Sequence, residues 1–157
     1  MFILARALVY ATLFVGFVLV ALPAQLLTAS GFQPPEVIGP WQVAGLLAGA
    51  AGAAITLACV VTFVFVGRGT PAPFDPPRRL VVAGPYRFAR NPMFLGAAAA
   101  MSGAALYFQS MALLGYTAAF LLASHLFILV YEEPTLRRTF GNDYDVYCRT
   151  VGRWGMR

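Results

Sequence analysis

Three groups of residues in the second half of the chain carry types and spacings that can do chemistry. The first is Gly84-Pro85-Tyr86-Arg87-Phe88-Ala89-Arg90-Asn91-Pro92-Met93. Asn91 is a good N-cap and Pro92 suits the first helical position, where its missing N–H costs nothing, so a helix is expected to start here. The positive end of that helix, with Arg87 and Arg90, favours an anionic group such as a carboxylate or phosphate. The same residues would also serve to end a loop and hold lipid headgroups. The second group is Glu132-Glu133-Pro134, expected at the end of an apolar helix, where the dipole disfavours negative charge and a compensating partner is needed. Ionisable residues at a membrane border are costly and are functional candidates by default, with the arginines of the preceding loop as counter-charges. His125 lies seven residues before Glu132, on nearly the same helix face, where a lone histidine serves either as a hydrogen-bonded packing residue or as a catalyst. The third group is Phe140-Gly141-Asn142-Asp143-Tyr144, followed by Tyr147, Arg149, Val151 and Arg153. Aromatics beside arginines can close over a planar ligand.

The elements that must position these residues are apolar. Of 157 residues, 60% are hydrophobic and 11% charged, against roughly 25% charged in a soluble domain. Water is therefore not the main solvent, and a chain of this length is expected to form one domain, 1–157, with no room for a separate soluble catalytic unit. The first apolar stretch, Ala7 to Leu27, is long enough for a span of ~20 residues and longer than a signal h-region of roughly 7–15, so Ala21-Leu22-Pro23-Ala24 is read as part of an uncleaved helix. A second span is expected from Trp41 to about Val66, with Gly45, Gly49, Gly52 and Ala53 forming a small-residue face that suits close helix packing and permits a homodimer. Residues 1–66 thus form two N-terminal transmembrane helices. Met93 to Tyr131 holds no formally charged residue and can cross a ~30 Å core twice, as a hairpin turning at Tyr107 to Ser110. The expected fold class is all-α: a polytopic membrane protein of about four transmembrane helices, two plus a helical hairpin. Leu136, Phe140, Tyr144, Tyr147 and Val151 recur at helical spacing, so a C-terminal amphipathic helix lying on the cytoplasmic membrane surface is expected, with Gly141 a kink or break.

The net charge of +5 comes from eleven arginines and no lysine. Their concentration in the loop 67–92 and the tail marks cytoplasmic segments rather than nucleic-acid binding, and it gives an N-in, C-in topology. Cys59 lies in an apolar run and Cys148 in the charged tail, so no disulfide is expected. One histidine and two distant cysteines do not supply a conventional zinc site, so no metal is expected. Gly67-Arg68-Gly69-Thr70-Pro71-Ala72 has the outline of a dinucleotide fingerprint, but Pro71, Pro73, Pro76 and Pro77 forbid the helix that must follow.

Taken in order, Gly84-Pro85-Tyr86-Arg87, Arg90-Asn91-Pro92-Met93-Phe94-Leu95-Gly96, Glu132-Glu133 and Phe140-Gly141-Asn142-Asp143-Tyr144 with Tyr147 resemble the isoprenylcysteine carboxyl methyltransferase and phospholipid methyltransferase superfamily. The resemblance covers about half the chain, from the loop to the C-terminus. It implies a membrane-integral methyltransferase that uses S-adenosylmethionine and binds it between the loop, the hairpin ends and the C-terminal segment. By position, Arg90, Asn91, Pro92, Leu95 and Gly96 fall in the family's Arg-His-Pro type motif, and Glu132 and Glu133 in its acidic pair. With Tyr86, Arg87, Tyr144 and Tyr147 these are the expected cofactor-binding residues, and Glu133, Arg90 and His125 the expected catalytic ones. Asn91 stands where many members have histidine. Prenylcysteine enzymes carry an arginine in the helix before the acidic pair, whereas Ser124 to Tyr131 contains His125 and no arginine. The implied methyl acceptor is therefore lipid-like or small and hydrophobic. The Ala- and Arg-rich composition without lysine suggests a bacterial inner membrane, with the site expected to face the cytoplasm. An NADPH-dependent membrane reductase of the sterol reductase type and a non-enzymatic lipid-binding scaffold are the competing readings.

Overall fold

The computed structural model describes residues 9, 12–13, 15–31, 35–67 and 78–156. The fold is all-α, and no strand occurs among the described residues. Of the expected first span, Ala7 to Leu27, the second half is described as a π-helical segment Val15–Ala21 running into α1, Leu22–Ala29. Of the remainder only residues 9 and 12–13 are described, so the N-in assignment that rests on it lies outside the described residues, as does 68–77 of the arginine-rich loop.

Helix α2, Pro40–Thr62, begins where Pro40 occupies the first turn and the Gly39 N–H donates to Gln42 Oε1 at 3.0 Å. It continues through a π-helical turn, Phe63–Gly67, so that Pro40–Gly67 forms one apolar helix of 28 residues, long enough to cross a membrane. Helix α3, Pro92–Tyr107, is shorter at 16 residues, roughly 24 Å. The chain then reverses as expected, with Gln109 at φ 49° and Ser110 capping α4, Met111–Phe127, by accepting from Leu113 N–H at 3.3 Å.

Helix α4 does not stop at Tyr131. A π-helical turn, Ile128–Glu132, carries it into α5, Glu133–Phe140, so Met111–Phe140 is a second continuous helix long and apolar enough to span. This corrects the expectation that the acidic pair ends a helix: Glu133 opens α5, and the unfavourable dipole at a C-terminus does not apply to it. Gly141, at φ 52°, breaks the chain as its sequence position suggests, and α6, Asn142–Thr150, folds back. The expected amphipathic helix is therefore two short helices. The apolar side of α6 faces inward: Tyr144, Tyr147 and Val151 pack with Leu80, Leu136 and Phe140, not onto a membrane surface.

The most extensive packing joins α2 to α3. The small-residue face expected on α2 is spent here, within the chain, rather than left open for a second copy. A Cβ on Gly45 would lie 2.6 Å from the Gly103 carbonyl oxygen, one on Gly52 2.5 Å from that of Gly96, and one on Gly96 2.6 Å from Thr56 Oγ1. Backbone thus lies directly against backbone, which lipid-immersed helices use in place of a hydrophobic driving force. Tyr116 ties α4 to the first helix by donating to the Val18 carbonyl at 2.8 Å.

Replacing Gly103 or Gly52 with valine is expected to cost about 1–3 kcal/mol or more, because backbone cannot move aside as a side chain can. Gly115→Ala, where nothing lies within 4 Å, should cause no loss. Thermal unfolding in detergent distinguishes the two classes.

Candidate functional site

The π-helical turn and the start of α5 deliver two adjacent carboxylates beneath the segment that precedes α3. That segment is a 3-10 turn, Gly84–Arg87, closed by Pro85 and started by Gly84 at φ 57°. It brings Arg90 over Glu133, with Arg90 Nη1 3.0 Å from Glu133 Oε1. Arg153, from the tail, meets the same carboxylate side-on: its Nε donates to Oε1 at 2.7 Å and its Nη2 to Oε2 at 3.0 Å. The Glu133 and Arg90 side chains are 11% and 9% exposed, so this is a buried cluster in which one carboxylate is shared by two guanidinium groups. A bidentate arginine pair combines charge with fixed geometry.

The rest of the tail reinforces the arrangement. Arg90 and Asn91 donate through their backbone N–H groups to the carbonyls of Gly152 and Arg153 at 3.0 and 3.2 Å, and Asn91 Nδ2 also donates to the Arg153 carbonyl at 3.2 Å. Asn91 thus occupies the N-cap position of α3, yet its side chain holds the tail instead of capping the helix. Arg90 Nη1 also donates to Tyr144 Oη at 3.2 Å and to Cys148 Sγ at 2.8 Å. Tyr147 Oη donates to the Tyr86 carbonyl at 2.6 Å. Burial above all pushes the phenols of Tyr86, Tyr144 and Tyr147 up from their ordinary range, which keeps them protonated and able to donate. The hydrogen bond to Glu133 raises the Arg153 guanidinium, so its charge is permanent.

Two buried polar atoms stand apart from this network. Glu132 Oε2 and Arg90 Nε have no hydrogen-bond partner among the described residues. One is an acceptor on a carboxylate, the other a donor on a guanidinium, and leaving either desolvated and unpaired is costly.

Arg90, Glu133, Tyr144, Tyr147, Tyr86 and Asn91 are therefore gathered into one connected site, with Glu132 beside it. Pro92 starts α3 under Asn91, and Leu95 follows one turn on. Gly96 lies in the glycine seam against Thr56, where its role is close helix approach. Arg87 is exposed and lines an open groove of about 500 Å³ that adjoins the site, since Tyr147 and Val151 line it too. His125 sits deeper on α4 and accepts from Trp154 Nε1–H at 3.3 Å. Sequence reasoning did not assign Cys148 or Trp154 to the site, and it named Arg153 only behind the aromatic group of the tail, not as a partner of Glu133. The signal available for Arg153 was the acidic pair itself, which demands more positive charge than Arg90 provides. Among the described residues no three His, Cys, Asp or Glu side chains gather as metal ligands.

Residues 41–143 match the model of the phospholipid methyltransferase family, PEMT, which is of the isoprenylcysteine and phospholipid methyltransferase type. The chain belongs to this family. The family is one of membrane methyltransferases, in keeping with the two long apolar helices. No curated protein and no solved structure gave a match. The matched stretch runs from α2 into the first turn of α6 and ends before Tyr144, so Arg153 and Trp154 lie beyond it.

Glu133→Gln is expected to cost about 2 kcal/mol, because it leaves Arg90 and Arg153 facing each other without their shared anion, the figure being moderated by the partial exposure of Arg153. Limited trypsin digestion should then cut readily within the tail. Disrupting the exposed Arg137–Asp145 pair, 2.9 Å apart, should leave the digestion pattern unchanged. Tyr147→Phe, which strands the Tyr86 carbonyl, should lower stability by about 1–2 kcal/mol in thermal unfolding.

Proposed function

We propose that this protein transfers a methyl group from S-adenosylmethionine to a lipid-like acceptor at the cytoplasmic membrane face. The observation that carries the reading is the pair of unpartnered buried atoms beside the acidic cluster, Glu132 Oε2 and Arg90 Nε. An α-amino acid end presents an ammonium and a carboxylate, which are the complements of one free acceptor and one free donor. The residues present therefore fit the amino-acid moiety of the cofactor, Glu132 accepting from its ammonium and Arg90 donating to its carboxylate. Family membership supports the same donor molecule.

When bound, S-adenosylmethionine supplies an electrophilic methyl group on a sulfonium. Methyl transfer from such a centre is an in-line displacement, so the work left to the chain is alignment and exclusion of water. Glu133, held by Arg90 and Arg153, fixes the direction of the Arg90 guanidinium. Tyr144 packs its ring against that guanidinium, and Tyr147 closes on the Tyr86 carbonyl. The four apolar helices support a four-crossing arrangement in which a lipidic acceptor reaches the site sideways from the bilayer, as the soluble donor enters from the arginine-rich side. A bacterial inner membrane, with both termini in the cytoplasm, is the setting that the composition favours.

Calorimetric titration of the detergent-solubilised protein should give saturable binding of S-adenosylmethionine and S-adenosylhomocysteine and none of NADPH. Glu132→Gln should weaken both adenosyl ligands by about 1–3 kcal/mol, the loss of a charge-assisted hydrogen bond. Binding of NADPH alone would move the protein to the membrane reductases, and silence from all three ligands would leave the lipid-binding scaffold.

A further inference from the structure

His125 is the one histidine of the chain and lies, half-buried, inside the apolar helix Met111–Phe140. An ionisable side chain within such a helix is costly, and this one is specifically oriented. Its Nδ1 accepts from the Trp154 indole N–H at 3.3 Å, with the ring centroids 5.9 Å apart and the planes inclined at 32°. An indole N–H only donates, so Nδ1 must present its lone pair and the ring proton belongs on Nε2. In this arrangement Nε2–H is a hydrogen-bond donor, not a proton acceptor.

Trp154 is itself held in place. It follows Arg153, whose side chain is fixed on Glu133 by two bonds and whose carbonyl takes two from Asn91. Consecutive tail residues therefore reach Glu133 and His125, eight positions apart and roughly 12 Å along the helix. Both must face the same side, with His125 deeper in the apolar region than the acidic cluster. A lipid whose headgroup reaches the membrane border beside the acidic cluster extends its glycerol toward this depth. The groups that a glycerophospholipid presents there are ester carbonyls, which accept hydrogen bonds and cannot donate.

We propose that Trp154 is a positioning residue that holds His125 as an Nε2–H donor to an ester carbonyl of the bound phospholipid. That this lipid is also the methyl acceptor rests on the methyltransferase reading above. The tail thereby orients a contact for the lipid's glycerol region: His125 lies within the stretch that matches the family, and Trp154, which positions it, lies beyond.

A single histidine makes the test direct, because isotope-labelled histidine gives one imidazole to observe by NMR. The detergent-solubilised full chain should show a lone-pair Nδ1 and a protonated Nε2. Dihexanoylphosphatidylethanolamine should shift the Nε2 signal saturably, and its dihexyl ether analogue, which lacks the carbonyls, should bind roughly 5- to 10-fold more weakly. Trp154→Phe should mix the tautomers and abolish the preference for the ester. A protonated Nδ1 in the unmodified protein, equal responses to ester and ether, or an unaltered pattern in Trp154→Phe would each overturn the proposal. S-adenosylmethionine titration of the same samples separates the two readings: failure to bind it sinks the methyltransferase assignment, whereas the tautomer and the ester preference decide the role of His125.

Discussion

The sharing of one carboxylate by two arginines fixes the half of this molecule that carries its polar cluster. Glu133 comes from the helix Met111–Phe140, Arg90 from the segment before α3, and Arg153 from the tail, so three stretches distant in sequence meet at a single side chain. A charge this far from water is tolerated when it is paired and hydrogen-bonded, and removal of either partner leaves an uncompensated ion. The cluster therefore constrains every piece it touches. The tail pairs its backbone with Arg90 and Asn91, α6 brings Tyr144 and Cys148 onto Arg90, and Tyr147 closes on the Tyr86 carbonyl.

That cluster needs a rigid floor, which the membrane-embedded helices supply by a different means. Burying apolar side chains against each other gains little where the solvent is itself apolar, so α2 and α3 are joined by contact of backbone with backbone. Gly45, Gly49 and Gly52 face Gly103, Ala100 and Gly96 along the seam. This places the start of α3, and hence Arg90 and Asn91, at a defined height relative to the end of α2, where Cys59, Val81 and Tyr86 form a small core with Phe63 and Met93. The glycines position the site without touching it.

Much of this was legible in the sequence. The apolar runs gave the long helices and the hairpin, with its turn at Tyr107 to Ser110, and the motifs gave the family. Gly141 was recognisable as a break because a left-handed residue between two short helical patterns favours glycine. What periodicity missed has identifiable causes. The acidic pair reads as the end of a span because hydrophobicity stops at Tyr131, yet hydrogen bonding does not stop there, and the π-helical turn passes through it. The aromatic stripe of the tail reads as a membrane-surface helix because a hydrophobic stripe specifies that something apolar is faced, not whether it is lipid or protein. Arg153, named with the aromatics of the tail, was not paired with Glu133 because an ion pair across 20 positions has no local signature.

The two glutamates, adjacent and chemically identical, have different surroundings, and helix geometry explains why. Successive side chains on a helix point roughly 100° apart, so a single cluster of arginines can engage one of two neighbours but not both in the same way. Glu133 takes the arginines. Glu132 is turned toward the side occupied by Tyr86 and keeps one buried oxygen without a partner among the described residues. The saturated carboxylate has little capacity left for a ligand and is suited to hold Arg90 in place. The unsaturated one has the capacity and is already desolvated, so a ligand cation that meets it regains a hydrogen bond whose desolvation cost folding has already met. An acidic pair is thus more than doubled charge: one member can serve the architecture only because the other is rotated out of it.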